Sequence, residues 1–211
     1  MISTDVTRGG GECWYNGYLY DRLISPMGKW MVSSIADLVP QKSVVLEVGC
    51  GPGNLALELS GKCKRVVAVD ISARMIRYAK TVRERKGITN VDFLNLDASR
   101  LLNTVSGHFD YAIACMCLHE LEDSVRKDIV RNCTRLASKM IITDYSAPFP
   151  KTIVGVGNNL LETISGRRHY QNFKRWQAFG GVAKFIKQMR LVTVMEMDWK
   201  DGCGKTVVVT A

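Results

Sequence analysis

The chain alternates short apolar runs with longer stretches in which apolar residues recur every three or four positions. Residues 43–48 (SVVLEV) form the first run and 65–69 (RVVAV) the second. Both are short, valine-rich and almost wholly apolar, as strands are when a parallel sheet is covered on both faces. Residues 90–96, 108–115 and 139–143 (KMIIT) continue the series. Helical patterns fill the gaps. Residues 54–60 open the first; Met75, Ile76, Ala79 and Val82 share a face of the second; Leu121, Val125, Ile129, Cys133 and Leu136 share a face of a third. Ser72 is placed to cap the second helix and Gly87 to end it. Glu122 with Arg126, and Asp123 with Lys127, have the spacing of stabilising pairs on a helix surface. This strict order predicts a parallel sheet with right-handed crossovers.

After Tyr145 the rhythm breaks. Pro148 and Pro150 punctuate a turn, and residues 154–180 read as one or two helices outside the repeat. Val182, Phe185, Ile186 and Met189 restore a sheet-packing helix. Residues 191–197 and 206–210 are two last strands, and Asp201-Gly202 between them signals an antiparallel hairpin. Before the first strand, residues 14–38 look helical, in two pieces that separate near Ser25-Pro26. The expected fold is a three-layer α/β sandwich with a seven-stranded, mostly parallel sheet, its last strand antiparallel. One domain spans 1–211: cap helices over 1–42, a ligand-binding core over 43–147, a helical lid over 148–180, and a final helix and hairpin over 181–211.

Composition adds limits. An apolar fraction of 46% and a charged fraction of 23% are ordinary for a globular chain. No apolar run approaches the ~18 residues of a membrane span, and residues 1–11 lack the apolar stretch of a signal peptide. A cytoplasmic protein is the expectation. Seven scattered cysteines, none in a Cys-x-x-Cys pair, indicate no zinc site, and no metal is expected. Cys115 and Cys117 bracket Met116 as a soft group, but free thiols acting as small buried hydrophobes are the simpler reading. The net charge is +9, and residues 151–211 hold ten Lys and Arg against four Asp and Glu. That surplus suits either an anionic partner or a solvated basic surface.

The chemistry centres on Glu47-Val48-Gly49-Cys50-Gly51-Pro52-Gly53, a strand running through a glycine turn into a helix. Glycines permit positive φ and let a ligand approach the backbone. At the carboxyl edge of a parallel sheet such a turn marks a ligand crevice. Asp70 ends the second strand, in the place of a carboxylate that grips ribose hydroxyls; capping the following helix is the alternative. Asp97 ends the third strand, where it can accept from an adenine amine.

Together, residues 45–53 (VLEVGCGPG), Asp70, Asp97 and Phe109-Asp110-Tyr111 resemble the class I S-adenosylmethionine-dependent methyltransferases. Within them the chain is most similar to the small-molecule type-11 group, which includes the ubiquinone and menaquinone methylases. The resemblance covers residues 43–145 and implies a Rossmann-like sheet. It also implies that Gly49, Gly51 and Gly53 wrap the methionine part of S-adenosylmethionine, that Asp70 binds its ribose, and that Asp97 and Ala98 bind its adenine. The Cys115 backbone would face the methionine ammonium. Glu47, Cys50, Asn54, Ile71 and Met75 complete the candidate cofactor set, with S-adenosylhomocysteine as product.

Methyl transfer needs alignment and a dry site more than it needs a dedicated base. His119, in the loop after the fourth strand, is a candidate base or substrate-orienting group, with loop anchoring as the alternative; Glu120 is placed to orient it. An Asn-Pro-Pro-Tyr tetrad is absent there, which argues against methylation of base amino groups. Tyr20 is the candidate cofactor-side tyrosine of an aromatic N-terminal helix, and Tyr15 a candidate acceptor contact. In the lid, Arg167, His169 and Tyr170 are further acceptor candidates, and Arg167 with Arg168 would receive an anionic group. Phe173, Trp176 and Phe179 repeat at core spacing. The predicted activity is methyl transfer to a small, anionic organic acceptor. An RNA or protein methylase docking through its basic C-terminal third remains an alternative, as do a non-catalytic adenosyl-binding protein and a nicotinamide dehydrogenase. The acceptor atom and the oligomeric state are not encoded in any motif.

Overall fold

A computed structural model describes residues 25–164 and 166–211. Seven strands form one sheet: β1 (Val44–Val48), β2 (Arg65–Asp70), β3 (Val91–Asn95), β4 (Phe109–Cys115), β5 (Ala137–Tyr145), β6 (Val192–Asp198) and β7 (Gly204–Thr210). Their spatial order is β3-β2-β1-β4-β5-β7-β6. The first five are mutually parallel. β7 runs antiparallel to β5 and to β6, so it is last in sequence but lies inside the sheet. The helices are α1 (Ser25–Leu38), α2 (Asn54–Leu59), α3 (Ala73–Arg85), α4 (Leu101–Thr104), α5 (Asp123–Leu136), α6 (Ile153–Ile164), α7 (Arg167–Phe179) and α8 (Gly181–Met189).

Alternation along the strands divides the core in two. Leu46 and Val48 of β1 face a layer built on Ile129, Val130, Phe173, Trp176, Val182 and Phe185. Val45, between them, faces Ile35, Val39, Leu55, Leu59, Ile76 and Ala79. Side chains alternate faces along a strand, so a strand buried on both sides must be apolar at every position. That is why the central runs carry so few polar residues.

The helix boundaries follow local chemistry. The Ser72 hydroxyl accepts the Met75 amide at 3.4 Å at the start of α3, and Gly87, at φ 65°, lets the chain turn away after it. Residues 154–180 resolve into two helices. On α5 the Lys127–Asp123 pair forms at 2.5 Å, but the expected Glu122–Arg126 pair does not. Arg126 is buried, donating to the Leu121 carbonyl and lying 4.8 Å from the Trp176 ring centroid. Glu122 instead meets Arg168 of α7 at 2.8 Å. Arg126 sits on the helix face that packs under α7, where stacking outweighs a solvent-side pair. β5 is longer at both ends than the apolar run implied, because Ser138 and Asp144 are polar residues inside the strand. No helix among the described residues is long and apolar enough to cross a membrane.

Candidate active site

Strand order locates the site. The chain steps outward from β1 to β2 and β3, then returns to the other side of β1 as β4 and β5. The connections leaving the carboxyl ends of β1 and β4 therefore part company, and a crevice opens between them. A groove of about 380 Å³ lined by Arg131, Thr134, Arg190 and Ala211 lies at the opposite, amino-terminal edge of the parallel strands, away from this chemistry.

β1 runs into the turn Gly49–Gly53. A side chain at Gly49 would lie 2.7 Å from the Cys117 Cβ, and one at Gly53 would lie 2.6 Å from the Phe93 ring, so both glycines are required by packing. Gly51 differs. Its φ is 52°, and nothing lies within 4 Å of where a Cβ would sit, so its backbone lines open space. Asp70 braces this turn: Oδ2 accepts the Gly51 amide at 2.8 Å and Oδ1 accepts the Ser72 amide at 2.8 Å. Burial pushes the Asp70 carboxyl up, against the pull of those two amides. Ser72, not Asp70, caps α3. A carboxylate has about four acceptor sites, so room remains for hydroxyl donors.

Asn95, at the end of β3, donates to the Asp70 and Ile71 carbonyls at 3.0 and 2.8 Å and fixes the far wall. Asp97 accepts the Ser99 amide at 2.9 Å through Oδ1 and heads a 3-10 turn that begins at Ala98. Ile71 is half-buried and Met75 buried at the start of α3. Asn54 starts α2 just beyond the turn. Glu47 is buried at 3% exposure, with the Ala56 amide on the carboxyl and no partner for Oε2 among the described residues. Burial first, then the nearby Asp70 charge, raises its pKa to about 8.

Across the crevice, β4 ends at Cys115. Met116 takes a left-handed φ of 53°, held by its amide on the Thr143 carbonyl at 2.8 Å. Cys117 Sγ then approaches the Val48 carbonyl at 3.5 Å, so this turn and the glycine turn touch. Burial pushes the Cys50, Cys115 and Cys117 thiols well up, which leaves them neutral and unreactive at ordinary pH.

The next residues form a 3-10 turn, Leu118–Glu120, and put His119 at 1% exposure. Its Nδ1 lies 2.8 Å from Asp144 Oδ1. Asp144 is wholly buried; its Oδ2 also accepts the Leu118 and His119 amides at 3.0 and 3.2 Å. The partner that orients His119 is thus Asp144 of β5, while Glu120 lies 3.9 Å from Nε2. Asp144 carries the same signal as Asp70, an aspartate at the carboxyl end of an apolar strand, and ending the fifth strand at Thr143 conceals it. Nε2 faces Glu162 Oε2 of α6 at 3.7 Å. His169 of α7 contacts the same Glu162 oxygen and lies 3.6 Å from Glu120, while the Tyr145 hydroxyl donates to Glu162 Oε1 at 3.0 Å. Burial opposes charge on both imidazoles, yet the surrounding carboxylates outweigh it, raising His119 to about 9 and His169 to about 10. His119 is thus enclosed, with Nδ1 on Asp144 and Nε2 facing Glu120 and Glu162.

The other candidates divide. Tyr15 and Tyr20 lie outside the described residues. Arg167 is exposed at the start of α7, and Arg168 is committed to Glu122. Tyr170 is half-buried and stacks on Phe173 with centroids 6.4 Å apart. Phe173 and Trp176 are core residues, and the Trp176 Nε1 donates to the Tyr145 carbonyl at 2.9 Å.

Sheet order and the glycine turn at the β1–β4 crevice give a Rossmann-like fold, the fold of solved methyltransferases. Residues 45–139 match the model of the methyltransferase-domain family. The chain is 39% identical over 77 residues to a tRNA/tmRNA (uracil-C(5))-methyltransferase of Campylobacter curvus, covering 36% of this chain and 21% of that protein. It is 31% identical over 86 residues to the tRNA 5-carboxymethoxyuridine methyltransferase of Escherichia coli K12, covering 40% of this chain and 31% of the relative. The chain thus spans less than a third of the length of either relative. Among solved structures, magnesium protoporphyrin IX methyltransferase of Synechocystis PCC 6803 with bound S-adenosylhomocysteine superposes with a TM-score of 0.64 at 19% identity, covering 95% of this chain and 90% of that one. These matches are to methyltransferases; the narrower likeness to ubiquinone and menaquinone methylases gains nothing from them.

Proposed function

We propose that this chain binds S-adenosylmethionine in the β1–β4 crevice and transfers its methyl group to a small organic acceptor that carries an anionic group. The observation that carries the reading is Gly51, whose bare backbone faces open space while its amide is held by the Asp70 carboxylate. The residues fit the cofactor. Gly51 leaves room for its amino-acid portion, Asp70 and Asp97 keep acceptor sites for ribose and adenine, and Glu47 holds a buried oxygen without a partner that suits a cationic ligand. When bound, the cofactor supplies a methyl carbon already activated by a sulfonium. The protein's part is then alignment and exclusion of water. The turn 116–119, held by the Thr143 carbonyl and the Asp144 carboxylate, forms the acceptor-side wall, and α7 packs over it. Arg167 is the exposed cation best placed at the start of α7 to meet a carboxylate or phosphate.

A second reading, transfer to tRNA, is favoured by the named activities of the two curated relatives and by the basic residues after position 150. Transfer of a labelled methyl group separates the two. Purified chain would be incubated with labelled S-adenosylmethionine and either a fractionated small-metabolite extract or total tRNA. Label in a low-mass acid or phosphate ester supports the first reading. Label confined to tRNA, with binding that weakens steeply as salt rises, supports the second.

A further inference from the structure

Four potential ligand side chains converge where α6 and α7 cover the turn after β4. The structure supplies His119 and Glu120 from that turn, Glu162 from α6 and His169 from α7. Donor atoms of His119, Glu120 and His169 lie within 4.8 Å of one another, and Glu162 Oε2 is 3.7 Å from His119 Nε2. We propose that these four residues form a divalent-metal site, selective for a first-row ion such as Zn²⁺ or Mn²⁺, that fastens α6 and α7 to the acceptor-side wall of the crevice.

Three features support it. First, the outer groups hold the donors in position. Asp144 takes His119 Nδ1 at 2.8 Å, which turns Nε2 toward the cluster. A carboxylate on the far nitrogen is the usual partner of a metal-bound imidazole. Tyr145 takes Glu162 Oε1 at 3.0 Å, which leaves Oε2 facing both rings. Second, the spacing fits. Ligands about 2.0–2.2 Å from a metal stand roughly 3–3.5 Å apart, so the gaps of 3.6 Å (His169 Nδ1 to Glu120), 3.7 Å (His119 Nε2 to Glu162) and 3.9 Å (His119 Nε2 to Glu120) need only slight contraction, while His169 Nε2 and Glu162 Oε2, hydrogen-bonded to each other without the ion, would part as the ion replaces the proton between them. Third, a divalent ion suits the charge. Asp144, Glu120 and Glu162 meet two imidazoles, and among the described residues the ion pairs of the two glutamates are with those imidazoles. Buried carboxylates need compensating positive charge. One divalent ion supplies as much as a proton on each ring. Two nitrogens and two carboxylates favour borderline first-row ions over the all-oxygen sites of Mg²⁺ and Ca²⁺. The ligands lie far apart in sequence, so no spacing motif reveals them.

The test uses the full chain, stripped with a chelator and free of added nucleoside, so its outcome is independent of the methyltransferase reading. Zn²⁺ and Mn²⁺ are titrated by calorimetry, bound metal is counted by elemental mass spectrometry, and Co²⁺ is followed by its visible absorption. The proposal expects one equivalent per chain and a melting midpoint raised by roughly 5–10 °C at a hundredfold excess over Kd. His169→Ala and Glu162→Gln should abolish binding, and Asp144→Asn should weaken it by about 10–100-fold. Far-ultraviolet circular dichroism and a cooperative thermal transition certify that each variant is folded. Metal binding below one tenth of an equivalent, or unchanged binding in folded His169→Ala, would overturn the proposal and leave two protonated histidines as the source of charge.

Discussion

At the scale of single residues, the glycine turn separates packing from binding. Gly51→Ala places a methyl group in open space at a positive φ, so it should cost about 1 kcal/mol of stability while lowering affinity for S-adenosylhomocysteine at least tenfold. Gly49→Ala drives a Cβ to 2.7 Å from Cys117, so it should cost roughly 2–4 kcal/mol. Denaturant unfolding alongside calorimetry reads both effects; equal stability losses with equal affinities would refute the distinction. Glu47 makes a prediction about pH. Its folded pKa, about 8, is above the ordinary carboxyl value of 4.5. The folded state therefore holds the proton more tightly than the unfolded chain. The ligand-free protein should lose stability as pH rises from about 4.5 to 8, and no further above that range. Glu47→Gln should remove this decline and be the more stable form at pH 8; a wild-type profile flat over that window would contradict the assignment. The turn, Asp70 and Asp97 were legible in the sequence because each closes an apolar strand. Asp144 was not, because the apolar run ends at Thr143 and leaves the last two residues of β5 uncounted. The carboxylate cage around His119 was not legible either, since Glu162 and His169 reach it from separate helices.

At the scale of elements, α7 is the informative piece. Its sequence reads as a lid over the site, yet Phe173 and Trp176 are almost fully buried and Trp176 is bonded to β5. A helix anchored in this way moves as part of the core. Phe173→Ala should cost about 3–5 kcal/mol in denaturant unfolding, whereas a loosely hinged lid would lose less than about 1 kcal/mol. Ser72→Ala removes the cap of α3 and should cost about 1 kcal/mol without changing acceptor preference. Central strands were read to within a residue or two because burial on both faces leaves them almost no polar positions. Arg126 was misread for a related reason: spacing on a helix identifies neighbours along the surface, but not which face the sheet will cover.

At the scale of the whole molecule, the chain places its ligand chemistry along one edge of the sheet. The carboxyl ends of β1 to β5 contribute the glycine turn, Asp70, Asp97, the Cys115–Cys117 turn and Asp144, and the antiparallel β7 completes the sheet beyond them. Sequence order alone predicted this edge, since parallel crossovers put every strand's carboxyl end on the same side. The acceptor was not predictable in the same way, because the helices that cover the turn after β4 come from segments outside the repeating pattern. The surplus of basic residues after position 150 gives one further expectation. If they dock a polyanion, tRNA binding should weaken by orders of magnitude between low and moderate salt; a small-acceptor enzyme should show weak, unspecific binding at any salt.

Titration calorimetry with S-adenosylhomocysteine probes the crevice most directly, because it needs neither an acceptor nor turnover. One site per chain, micromolar or tighter, that disappears in Asp70→Ala and falls sharply in Gly51→Ala is the expected result. No heat of binding and no shift in melting temperature with the folded chain would contradict the assignment of this edge to an adenosyl cofactor.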